Sequence, residues 1–235
     1  MENKTRYSCH KLWVRTVADI VRLFVHFEVK GKGNIVDDGQ PAVFVCNHGA
    51  IIGPVSAVIY LPVSFRPWIN VAMTDRDTAE KTMTHTYDGR RFLIFSGKAK
   101  KLAIRMASRI ISSAVNAFDP VPVSRTDSGA MLGTLRSSID TLEGGTNLLI
   151  FPENPGEGKY RADSFRDLHP VFAMLGRLYY ARTGMCLRFY PSFADKDRKI
   201  FNIGAPVTYT PGGDEKAELA RIVAEVRDAM VRMSL

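Results

Sequence analysis

Three short stretches hold the residues whose chemistry stands out. The apolar run Ala42-Val43-Phe44-Val45-Cys46 ends in Asn47-His48, and small residues and a Gly53-Pro54 step follow. Val121-Pro122-Val123-Ser124 ends in Arg125, and Asn147-Leu148-Leu149-Ile150-Phe151 runs into Pro152-Glu153-Asn154. An imidazole is a base near neutral pH. A guanidinium offers a fork for phosphate or carboxylate. Pro152 to Gly158 carries two Pro and two Gly, with Lys159 and Arg161 close behind. Such a turn can bring main-chain N–H groups to an anion. A histidine, an arginine and a glutamate at the ends of three separate strands make a site constellation, with a base and a fork for an anion. The plainer reading of His48, a loop histidine packed on its neighbours, stands beside it.

The elements needed to position these residues are legible in the pattern. An apolar run ending in a polar pair just ahead of a helix is how a buried strand delivers a side chain to a sheet edge, and open α/β sheets bind ligands at the carboxyl ends of their strands. Ala42–Cys46 reads as a strand, and Val55–Leu61 as a short helix stopped at Pro62. Ile69–Met73 reads as a strand, and 75–91 as an exposed helix or loop. Lys98–Ala117 reads as a helix with Leu102, Met106, Arg109, Ile110 and Ala114 on one side. Its basic end, Lys98, Lys100, Lys101 and Arg105, reads as a solvated face. Asp127 or Ser128 caps a helix that runs to Leu142 and stops at Gly144-Gly145. Asn147–Phe151 is a buried strand and Pro170–Thr183 a helix. Leu187–Tyr190 is a strand ending at Pro191, and Lys199–Ile203 and Val207–Tyr209 are late strands. Asp214 caps a terminal helix with Leu219, Ile222, Val223, Val226 and Met230 at core spacing. Upstream, Lys11–Val29 is an amphipathic helix with Trp13, Val17, Ile20, Val21 and Phe24 on one side and Lys11, Arg15, Asp19, Arg22 and Glu28 mostly on the other. It either packs on the body of the protein or lies in a membrane interface. The order predicts an α/β fold: a mostly parallel central sheet flanked by helices, preceded by the amphipathic N-terminal helix. Residues 1–30 form that helical segment, and 31–235 a single domain.

The chain has 235 residues, 46% of them hydrophobic, enough for one substantial core. A net charge of +8 points to an anionic partner. Nucleic acid is not expected, because no stacking-aromatic pattern or helix-turn-helix signal accompanies the charge. Cys9, Cys46 and Cys186 have no metal-ligand spacing and read as reduced thiols of a cytosolic protein, with no metal site. The start of the chain lacks the features of a signal peptide. The uncharged span Gly39–Phe65 is broken by Asn47, His48, Gly49, Gly53, Pro54 and Pro62, so no spanning helix is expected.

With these blocks in view, the sequence resembles the lysophospholipid acyltransferase superfamily, which includes the glycerophosphate and lysophosphatidic acid acyltransferases. Four blocks occur in order over almost the whole chain. They are Asn47-His48-Gly49-Ala50-Ile51-Ile52-Gly53-Pro54, Val121–Arg125, Phe151-Pro152-Glu153-Asn154, and Leu187–Pro191. Val29-Lys30-Gly31 fits as the lead-in. The resemblance implies that His48 acts as general base on a hydroxyl of the acceptor, whose alkoxide attacks an acyl thioester. The donor is then acyl-CoA or acyl-carrier protein, a co-substrate, with no resident cofactor. Arg125 and the loop after Phe151, with Asn154 and Lys159 or Arg161, would hold the acceptor's phosphate. Glu153 would bind the glycerol part or order the loop, and Asn47 belongs to the same substrate-binding group. The protein would work in phospholipid biosynthesis as a cytoplasmic protein, peripheral on the inner face of an anionic membrane. The chain departs from the family at three places. Gly53 stands where the His-x4-Asp motif has its aspartate, Asn154 replaces the glycine after Phe-Pro-Glu, and the arginine that commonly follows is displaced. If His48 has lost its only orienting group, Gly53→Asp should raise activity, given room for the side chain. The alternative is a non-catalytic relative that binds lipid or membrane.

Overall fold

The computed structural model describes residues 16, 18–20, 22–23, 26–49, 52–86, 96–124, 128–153 and 164–235. They form two compact units within the span read as one domain: 1–66 with 135–235, and 67–134.

The first unit is built on β2 (Ala42–Cys46), whose five residues are all buried. A strand covered on both faces needs apolar side chains at every position, which explains the unbroken run. β2 pairs in parallel with β5 (Asn147–Ile150) and with β6 (Arg188–Asp195). β6 pairs antiparallel with β7 (Ile200–Ile203) and β8 (Val207–Thr208). β7 pairs in parallel with β1 (Glu28–Lys30). α1 (Ile52–Tyr60) and the terminal helix α6 (Glu215–Ser234) pack against β6. The expected mostly parallel sheet flanked by helices is therefore present. Asn147 sets its register: its Oδ1 accepts from Ala42 N at 2.9 Å, and its Nδ2 donates to Ser64 O at 2.8 Å. In the second unit, β3 (Phe65–Asn70) pairs in parallel with β4 (Val121–Val123) through Trp68, Ile69 and Asn70. α2 (Arg76–Thr86) packs on α3 (Gly97–Asn116). Two further helices are α4 (Ser128–Glu143) and α5 (Met174–Thr183), the latter led in by a 3-10 turn over Pro170–Ala173.

Several expectations meet these elements within a residue or two. Asp214 caps α6 by accepting from Lys216 N at 3.0 Å, and Ile222, Val226 and Met230 are buried. Three readings are corrected. The N-terminal helix stops short of Val29, because Glu28–Lys30 is a strand paired with β7. The described residues 16, 18–20 and 22–23 are helical, whereas Lys11, Trp13, Arg15, Val17, Val21 and Phe24 lie outside the described residues. The strand read at Ile69–Met73 lies earlier, at Phe65–Asn70, and a 3-10 turn takes Val71–Met73 with Asn70 as its cap.

β6 does not end at Pro191 but continues to Asp195. Proline removes a ladder donor and is tolerated only where no ladder bond is needed. Pro191 O accepts from Gly204 N at 2.8 Å, so position 191 turns its main chain to the side of β7 and β8. On that side β8 pairs with Arg188 and Phe189 and β7 with Ser192 to Asp195, so the missing N–H falls in the gap between them.

The helix expected over Lys98–Ala117 is α3, and the structure shows which of its sides faces inward. Its inward side is Ile104, Ser108 and Ser112, not the row of Leu102, Met106 and Ile110. Ile104 packs on Met83 with Ala103, Ala107 and Ile111, and Ser112 Oγ donates to Thr74 O at 2.8 Å. Small residues let α2 approach closely on this side. The larger apolar row faces outward.

Candidate active site

Parallel pairing of Val45 with Ile150 carries the ends of β2 and β5 forward together, so that residues three further on, His48 and Glu153, come level. At that point the Glu153 carboxylate turns onto the β2 side. Its Oε1 accepts from His48 N at 2.5 Å, and Gly49 N supplies a second main-chain donor. Glu153 is itself held by an antiparallel bridge to Leu168, and His169 N donates to Pro152 O at 2.7 Å.

Asn47 holds the other flank. Its Oδ1 accepts from Ala194 N at 2.7 Å and its Nδ2 donates to Ala194 O at 3.2 Å, so its buried amide pairs both main-chain groups of one residue of β6. The turn carrying His48 is thus fastened to β5 on one side and to β6 on the other. Replacing Asn47 by alanine leaves two buried main-chain groups without partners. We expect a loss of about 2 kcal/mol in unfolding free energy, read by urea titration.

The imidazole lies edge-on to Phe151, with ring centroids 5.6 Å apart and planes at 75°. Nδ1 is turned inward and buried, although the residue as a whole is half-buried. Glu153 Oε1 is engaged with the main chain of the His48 turn, and its buried Oε2 has no hydrogen-bond partner among the described residues.

Gly53 has a structural reason. A side chain there would place its Cβ within 2 Å of main-chain oxygen, at 1.7 Å from Asn47 O. Gly53 N donates to His48 O at 3.1 Å, and Ile52 N to Gly49 O at 3.3 Å, so the first turn of α1 is folded directly onto the His48 turn. Gly49 makes that turn with a φ of 47°, a region that favours glycine. Pro54 fits because first-turn N–H groups of a helix have no intrahelical acceptor. The room required for a motif aspartate is absent.

Burial pushes the Glu153 carboxyl up from 4.5 to about 7, against the pull of the His48 and Gly49 N–H groups. Because the folded value lies above the unfolded one, this contribution to stability is complete below about 4.5 and is lost as the pH rises through about 7. Glu153→Gln keeps an acceptor for the two N–H groups and cannot ionise. Its Tm is expected to vary less with pH across that window than the wild type's. Glu153→Ala removes the acceptor and is expected to cost about 2–3 kcal/mol. A scan of Tm against pH for the three proteins checks both.

Burial, followed by the charge of Glu153, pushes the Cys46 thiol far above its usual range, so it is no nucleophile near neutral pH. Among the described residues, no group of three or more His, Cys, Asp or Glu is placed to hold a metal ion.

Of the residues singled out in the sequence, the structure brings Asn47, His48 and Glu153 together. Arg125, Asn154, Lys159 and Arg161 lie outside the described residues. Reading the sequence alone missed Gly49 as the second donor to Glu153 and Phe151 as the ring beside His48. The only advance signal was their adjacency to the two polar blocks.

No family model matches the sequence, and no curated protein matches it significantly. Among solved structures, the fold is similar to the crystal structure of the 1-acyl-sn-glycerophosphate (LPA) acyltransferase PlsC from Thermotoga maritima. The TM-score is 0.52 at 12% identity, over 94% of this chain and 78% of that one. At that identity the likeness establishes a shared α/β fold.

Proposed function

We propose that this protein is an acyltransferase that moves a fatty acyl group from a thioester donor to a hydroxyl of a lysophospholipid or glycerophosphate-like acceptor. The observation that carries the reading is His48 at the carboxyl end of β2, fixed through its main chain by Glu153 at the end of the adjacent β5. The fold likeness to an LPA acyltransferase supports it at the level of architecture.

In this mechanism the acceptor hydroxyl gives its proton to Nε2 of His48, because Nδ1 is turned inward. The oxygen attacks the thioester carbonyl, the tetrahedral intermediate collapses with cleavage of the C–S bond, and the thiolate takes a proton from the imidazolium. The acceptor ester and a free thiol result. Main-chain anchoring of the turn by Glu153 and Asn47 does the positioning that the motif carboxylate does elsewhere. Arg125, Asn154, Lys159 and Arg161 supply the charge and donors for the acceptor's phosphate. The donor is acyl-CoA or acyl-carrier protein, and the acceptor is taken from an anionic membrane surface. Among the described residues no helix is long and apolar enough to cross a membrane.

Thiol release from an acyl thioester, followed with and without lysophosphatidic acid, tests the proposal. Acceptor-dependent release together with an acylated product supports it. Absence of both with either donor class sinks it. Gly53 favours one second reading, a non-catalytic relative that binds lipid, because the backbone leaves no space for the motif carboxylate. That reading predicts lipid binding with no thiol release.

A further inference from the structure

α3 carries a second apolar face that packs against none of the described residues of its unit. Leu102, Met106 and Ile110 recur every fourth residue and are 61%, 58% and 61% exposed. On a helix this spacing makes one row, about 12 Å long at 1.5 Å per residue. The opposite side of the helix is fully used, with Ile104 on Met83 and Ser112 bonded to Thr74 O. Single exposed leucines are ordinary on protein surfaces, but an aligned row on a helix that already has a buried face is not.

The charges beside the row decide what covers it. α3 carries Lys98, Lys100, Lys101, Arg105 and Arg109 and no acidic residue. At 100° per residue, Arg109, Lys98 and Arg105 follow one another directly along one flank of the row, with Lys101 beyond them. Of these, Arg105 has an acidic neighbour, Glu80, at 3.8 Å. An apolar row edged by cations is the pattern of a helix lying in the plane of an anionic lipid surface. A second copy of this chain fits less well. An antiparallel two-fold pairing on the row would set each copy's cations against the other's.

We propose that the Leu102-Met106-Ile110 face of α3 docks this protein on an anionic membrane, with the apolar row in the acyl boundary and Lys98, Lys101, Arg105 and Arg109 at the headgroup phosphates. This rests on the acyltransferase reading only in saying where the acceptor is met. The docking itself stands on the helix.

The test uses the full chain and sedimentation with vesicles of phosphatidylcholine, with or without phosphatidylglycerol. Three proteins are compared: wild type, Leu102→Ser/Met106→Ser/Ile110→Ser, and Lys98→Gln/Lys101→Gln/Arg109→Gln. All six positions are exposed, and circular dichroism verifies folding. Wild type is expected to bind the phosphatidylglycerol vesicles and to release as salt is raised. The apolar triple variant should bind about a hundredfold more weakly. The charge variant should bind more weakly with a flatter salt dependence. Activity on a water-soluble short-chain acceptor should be unchanged in both variants, and activity on vesicle-borne acceptor should fall. Equal vesicle binding by wild type and the apolar variant overturns the proposal. So does a wild-type dimer that ignores vesicles and dissociates in the apolar variant. Wild type that docks through α3 yet acylates nothing leaves the docking standing and removes the acyltransferase reading.

Discussion

His48→Ala is expected to lower acceptor-dependent acyl transfer by roughly a thousandfold and to leave Tm near that of the wild type. The rate effect follows from removing the proposed general base, since general acid–base catalysis contributes about 10²- to 10⁴-fold in enzymes. The small stability effect follows from what holds the turn. The Glu153 contact is made to the main-chain N–H of residue 48, and the Asn47 contacts to Ala194 do not involve the imidazole. An alanine keeps all of them. The ring's packing against Phe151 is lost, and it is half-buried, so the cost is about 1 kcal/mol. Kinetics and a thermal melt of the same preparation separate the two effects. A large fall in Tm would show that the imidazole is part of the scaffold and not free to do chemistry.

Gly53→Asp is the second substitution with a large expected effect, and its sign is opposite to what the motif suggests. The His-x4-Asp motif suggests that an aspartate at this position would help the base. Here its Cβ would lie 1.7 Å from Asn47 O, and main chain cannot move aside as a flexible side chain can. The first turn of α1 or the His48 turn must shift, breaking the bond from Gly53 N to His48 O. We expect Gly53→Asp and Gly53→Ala alike to lose on the order of 3 kcal/mol or more, roughly 6–12 °C in Tm for a chain of this size. Acyl transfer should fall with both. The alanine variant separates sterics from charge: it has no carboxylate and the same clash. An increase in activity for Gly53→Asp with no change in Tm would show that the backbone yields and that His48 lacked a carboxylate.

The fold was legible where a single element decides it. β2 is an apolar run bounded by a proline and an Asn-His pair, and its limits in the sequence and in the structure coincide. The cap at Asp214 is read from one residue type at one place. What could not be read depends on pairing across distance. The proline in β6 looks like a stop, and only the arrival of β8 and β7 on either side of position 191 shows why the strand passes through it. On α3 two apolar rows have similar spacing, and the row that faces inward is set by α2, not by the helix itself.

The candidate site divides the same way. His48 and Glu153 were visible as polar residues at strand ends. That they are level, with Glu153 bonded to the main chain of the His48 turn, is a consequence of the β2–β5 register. Asn47 looked like part of a substrate-binding pair, and its amide is engaged by Ala194, 147 residues away. Gly53 read as a lost carboxylate. The structure shows a position that admits no side chain, because a main-chain oxygen occupies the space.

The central claim is that His48, held through its main chain, takes the proton from an acceptor hydroxyl. The most direct measurement is single-turnover formation of the acylated lipid from an acyl thioester and lysophosphatidic acid, by wild type and by His48→Ala. Wild type should form the product, and the variant, with an unchanged melt, should form it about a thousandfold more slowly. Equal rates in the two proteins would contradict the account.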